Sequence, residues 1–151
     1  EADGALTVWE KNKMKEKHQE TFSDAVEDVP AVFPALLRAQ KIAKRTEKGG
    51  WKFASFDGAV SSLRTSLEAL KTANEAGDKE QAASLLGDAL MCMAWLGRAV
   101  GVDCEQALLD TVKKMQQRYV RFETIVRADG KDVNALSPEE FENYYQEAMR
   151  G

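Results

Sequence analysis

The sequence holds one histidine, two cysteines and three prolines in 151 residues, and each scarcity removes a class of chemistry. A nucleophilic triad needs a histidine or an equivalent base. The only one, His18, sits among Lys15, Glu16 and Lys17 in the most charged stretch of the chain and reads as a surface residue. Cys92 and Cys104 lack metal-ligand spacing and any secretory context, so they read as reduced thiols of a cytosolic protein. No apolar run approaches the roughly 20 residues that cross a bilayer, and no signal peptide is visible, which points to a soluble protein without a membrane partner. There is no Gly-rich phosphate loop of the G-x-x-x-x-G-K type, no internal repeat, and no stretch that reads as strand. The net charge of −4 speaks against a dedicated nucleic-acid binder. The chain opens on Glu1 rather than methionine, which points to a piece of something longer.

What is present is helical periodicity. At 44% hydrophobic and 30% charged, the chain has the size and composition of one domain able to bury a core. Its centre is Ser84–Tyr119, where two apolar stripes meet at a Gly-Val-Asp turn. Leu86, Leu90, Met93, Gly97 and Val100 recur at steps of three and four, and Leu108, Val112, Met115, Tyr119, Phe122 and Val126 do the same. This pattern predicts a helical hairpin, mostly buried, with a further partner surface that points to a homodimer.

Around it, Thr7–Glu20 reads as an exposed helix anchored by Trp9, Phe22–Pro30 as a loop, and Ala31–Lys48 as a helix stopped by Gly49 and Gly50. Asp57 is the expected cap of a helix over 58–76, Asp78 of one over 79–100, and Asp103 of one reaching about Arg127. Ser137-Pro138-Glu139-Glu140 is a full capping box before a closing helix to Met149. The expected fold is all-α: a single domain over 1–151, with a leading helix and loop (1–30), a core of about four main helices (31–128) and a closing helix (129–151).

The run PALLRAQKIAKR at Pro34–Arg45, GWKF at Gly50–Phe53, LLGDAL at Leu85–Leu90, WLGRAVGVDCEQAL at Trp95–Leu108 and TVKKMQQRYVRFE at Thr111–Glu123 resembles the MazG family of nucleoside triphosphate pyrophosphohydrolases. With WEKNKMKEK at Trp9–Lys17 the likeness covers nearly the whole chain, and it is strongest to the C-terminal domain of tandem MazG proteins. The resemblance implies an all-α bundle completed by dimerisation, and Mg²⁺-dependent cleavage of NTP to NMP and pyrophosphate. It also implies a site in which two carboxylate pairs on neighbouring helices hold the metal through hard oxygen ligands.

Most of that metal site is replaced here. Ser61, Ser62, Leu63, Arg64 and Thr65 stand where the family's EExxE would fall. Leu85 to Asp88 stand at its ExxD, leaving Asp88 as a residual, weak metal ligand, and Trp95 stands where an asparagine is often found. One carboxylate with neutral hydroxyls repays Mg²⁺ dehydration poorly, so metal binding is expected to be weak or absent. Lys114 and Arg118 match the family's phosphate-contacting positions, and Lys41 and Lys44, which match its basic QKIxKK-like helix, are further phosphate-binding candidates. Solvated basic faces, with Asp110 and Glu123 beside the first pair, are the plainer alternative for both. Trp51 lies in the aromatic loop and is the candidate for stacking a base. Asp88, on the apolar stripe, is expected to face a basic partner, a metal or an interface, and Lys114 or Arg118 is the candidate.

Three functions follow from these residues. The first is a catalytically degenerate nucleotide-binding, oligomerisation or partner-binding module, working beside an active MazG domain or another protein. The second is an active Mg²⁺-dependent pyrophosphohydrolase, and the third a helical scaffold with no nucleotide role.

Overall fold

A computed structural model describes residues 8–16 and 20–151, and His18 lies outside them. The described residues form seven helices and no strand, so the all-α expectation holds. In chain order these are α1 (Val8–Glu16), α2 (Phe22–Glu27), α3 (Ala35–Lys48), α4 (Phe56–Glu75), α5 (Lys79–Ala99), α6 (Cys104–Ala128) and α7 (Pro138–Met149). They fall into two compact units, one ending at Glu105 and one comprising Gln106–Gly151.

In the first unit α5 packs against α4 and α3, and α2 packs on α3. Ala59 of α4 and Cys92 and Leu96 of α5 are the buried centre, surrounded by Phe53, Val60, Leu63 and Trp95. Small residues set this packing. Ala59 is fully buried, and its carbonyl accepts a hydrogen bond from the Cys92 thiol at 3.3 Å. Gly97 is required by contact: a Cβ there would lie 2.1 Å from Cys104 Sγ. Gly101, at φ +72°, takes the left-handed turn that ends α5 just before Asp103.

In the second unit the end of α6 and α7 are joined through polar and aromatic contacts. Arg121 Nη1 donates to the Ala148 carbonyl at 2.6 Å, and the buried Tyr144 hydroxyl donates to Asp129 Oδ2 at 2.6 Å. Phe122 meets Phe141 edge-on, with ring centroids 5.7 Å apart. The Ser137 box forms as read, Ser137 Oγ accepting from Glu140 N and Glu140 Oε1 accepting from Ser137 N.

Several readings are corrected. Phe22–Glu27 is a helix rather than a loop, because Thr21 and Asp24 form a reciprocal capping box. Ser55, not Asp57, caps α4, its Oγ accepting from Gly58 N. Trp9 is no anchor: it is 67% exposed, with the Lys13 ammonium over its ring. The apolar stripes are also only partly buried within the chain, at Gly97 and Val126. Leu86, Leu90, Met93 and Val100 are about half exposed, as are Leu108, Val112 and Tyr119, and Met115 is 69% exposed. Periodicity marks a face that favours leaving water; it does not say which chain covers it.

Candidate functional site

The GWKF loop and the middle of α3, α4 and α5 enclose an open hollow of about 710 Å³ within the first unit. Ser62 and Ser66 reach it from α4, Asp88, Met91 and Trp95 from α5, and Trp51 and Phe53 from the loop. The loop is positioned by the end of α3, where the Trp51 N–H donates to the Thr46 carbonyl at 2.9 Å. Trp51 is 81% exposed and offers an indole face at the mouth of the hollow. Phe53 meets Trp95 in an edge-to-face contact at 4.9 Å. Trp95 Nε1 is a buried donor with no acceptor among the described residues. An orphaned indole N–H of this kind costs stability and awaits a partner.

Asp88 is exposed, which corrects the expectation that it is a buried carboxylate. It stands one residue before the buried Ala89, so the same turn of α5 gives Asp88 to the hollow and Ala89 to the core. Ser62 and Ser66 are one helical turn apart and share its face of α4. The polar lining is therefore one carboxylate, several hydroxyls and Lys52. Among the described residues no three His, Cys, Asp or Glu side chains come together as a metal-ligand group.

Lys41 and Lys44 do not line this hollow. They line a smaller one of about 310 Å³ with Leu37, Gln40, Arg98 and the 101–103 turn. At 3.6 residues per turn, Ile42, Ala43 and Thr46 face the aromatic hollow from one side of α3, while Leu37, Lys41 and Lys44 lie on roughly the opposite side. Arg98 is held there by Glu47, its Nη2 lying 3.2 Å from Glu47 Oε2. Sequence reasoning missed Arg98 because this partner is 51 residues away. Trp95 was visible in the sequence as a replacement, but its unpaired N–H was not.

Lys114 and Arg118 belong to the second unit, and neither has an ion-pair partner among the described residues. The acids proposed to neutralise them are engaged elsewhere: Asp110 accepts from Gln106 Nε2 at 2.9 Å, and Glu123 pairs with Arg127 at 2.8 Å. Arg121, the third base of that stripe, is committed to the Ala148 carbonyl.

Fold and hollow together define an all-α domain whose hollow is lined by aromatics, hydroxyls and a single carboxylate. Over 147 residues, 96% of its length, the chain is 31% identical to a nucleoside triphosphate pyrophosphohydrolase of Escherichia coli K12. It is 27% identical over 143 residues to the nucleoside triphosphate pyrophosphohydrolase/pyrophosphatase MazG of Thermotoga maritima. The chain is thus a relative of the MazG-family nucleoside triphosphate pyrophosphohydrolases. It spans about half the length of the curated relatives it matches, 56% and 54% respectively. No protein-family model matches the chain. No single helix among the described residues is long and apolar enough to cross a membrane.

Proposed function

We propose that this chain is a MazG-like nucleotide-binding module that does not hydrolyse its ligand, acting as an oligomerising or partner-binding domain. The observation that carries the reading is the lining of the aromatic hollow, where Asp88 is accompanied by Ser62 and Ser66 rather than by further carboxylates. Mg²⁺ keeps its waters unless several anionic oxygens repay their loss, so this donor set does not fit the metal that the family implies. The same lining favours an aromatic, hydrogen-bonding ligand. Trp51 stacks a base at the mouth, and the Ser hydroxyls and Asp88 accept from base or sugar. Within the second unit, Lys114 and Arg118 pair with no acid among the described residues, and we assign them separately as an anion-binding pair. The module works as a homodimer in a reducing compartment. Burial holds both the Cys92 and Cys104 thiols above their ordinary pKa, which keeps them unreactive there.

The experiment is pyrophosphate release from a panel of ribo- and deoxyribonucleoside triphosphates with excess Mg²⁺, alongside binding followed by tryptophan fluorescence. Binding without turnover, weakened by Trp51→Ala, is the expected result. Mg²⁺-dependent release abolished by Asp88→Ala would overturn it. That outcome would establish the second reading, an active NTP pyrophosphohydrolase, which the names of both relatives favour.

A further inference from the structure

The smaller hollow on the far side of α3 is a concentration of positive charge that the nucleotide reading does not use. Lys41 and Lys44 reach it one after the other along α3, and Arg98 reaches it from α5. Of the nearby acids two are ion-paired, and the third, Asp103, keeps its charge at the rim. Glu47 accepts both Nε and Nη2 of Arg98, and Glu10 takes Lys48 at 2.7 Å. Asp103, which also lines the hollow, accepts from Gln40 Nε2 at 3.2 Å. Lys41 lies over the Phe33 ring at 5.1 Å, a contact that leaves its charge uncancelled.

Neither Lys41 nor Lys44 has a carboxylate within ion-pair distance among the described residues. Desolvation pushes the Lys44 pKa down, and Lys48, Arg98, Lys13 and Lys41 push in the same direction. Mutual repulsion of this kind is relieved by a multiply charged anion and by nothing neutral or cationic.

We propose that Lys41, Lys44 and Arg98 form a binding site for a phosphate group of multiple negative charge, pyrophosphate being the simplest, separate from the aromatic hollow. The two lysines supply point charges and the guanidinium, fixed by Glu47, supplies direction. The site stands independently of the nucleotide reading, because it lies on the other side of α3 and needs neither Trp51 nor Asp88.

The test is calorimetric titration of the whole chain with sodium pyrophosphate at low ionic strength, and with orthophosphate as a second probe. Pyrophosphate should bind more tightly than orthophosphate. Lys44→Gln should weaken it at least five-fold and Lys41→Gln with Lys44→Gln should abolish it, while Trp51→Ala leaves it unchanged. Lys44 is exposed, so its replacement should keep the fold, checked by circular dichroism. Absence of binding at millimolar pyrophosphate would overturn the proposal. So would equal affinity in the Lys44→Gln variant, or a loss with Trp51→Ala as large as with Lys44→Gln, which would place pyrophosphate in the aromatic hollow.

Discussion

Two single residues decide what their surroundings tolerate. Gly97 faces Cys104 Sγ so closely that a methyl group displaces the sulfur. Gly97→Ala should cost about 1–3 kcal/mol, read as a lower urea midpoint at unchanged slope. Removing the sulfur in the double change with Cys104→Ala should recover part of that loss, since the next side-chain atom is at 3.8 Å. Asp88 makes the opposite case. Being exposed, it should be replaceable by Asn within about 0.5 kcal/mol, so any effect of Asp88→Asn on nucleotide affinity reports on the ligand rather than on folding. The aspartate itself was legible in the sequence, but its exposure was not. Its neighbours Ala89 and Cys92 are buried, while Asp88 meets the hollow.

Among the elements, α7 and the turn before it are held by groups whose protonation matters. Hydrogen bonds from Lys131 and Ser137 hold the Glu140 carboxyl below its ordinary pKa. A depressed acid contributes stability above its unfolded value, and that contribution is lost as pH falls through the folded one. Melting of α7 should therefore begin in acid, at a pH below about 4.5, the ordinary glutamate value, and Glu140→Gln should flatten that limb. On the alkaline side the bond to Asp129 raises the Tyr144 pKa, and that to Glu140 raises Lys131. Both groups then bind more protons folded than unfolded, so stability should decline as pH rises past about 10, the ordinary tyrosine value. Near-ultraviolet circular dichroism across both limbs reads this directly, and Tyr144→Phe should remove part of the alkaline loss. The Ser137 box that starts α7 was readable because its four residues are local; Ser137→Ala should cost about 1 kcal/mol. The Thr21 box is equally local but uses Asp24 in place of the usual Glu or Gln, and the turn formers before Pro30 mask the short helix it starts.

For the molecule as a whole, the exposed stripe on α5 carries the proposal of a homodimer. Leu90, 57% exposed, and Met93, 49% exposed, lie one turn apart on that helix. Sedimentation should give a dimer for the wild-type chain and a monomer for Leu90→Glu, with the α-helical content of the two nearly equal. A monomeric wild-type chain would leave the stripe for a different partner. Helix periodicity named these residues as a hydrophobic face; it could not tell an intrachain core from a surface between chains, because both remove the same area from water.

The sequence by itself determined the all-α class, most helix limits and the MazG likeness, because spacing, caps and motif order are local properties of the chain. It also determined that positions 61–65 and 85–87 carry no carboxylate, which is a matter of residue identity. Only tertiary structure decided that Trp51, Ser62, Asp88 and Trp95 share one hollow. It alone decided that Lys41 and Lys44 turn away from that hollow toward Arg98. Both depend on how α3, α4 and α5 rotate about their axes, and that rotation is set by the close approach of small side chains such as Ala59 and Cys92.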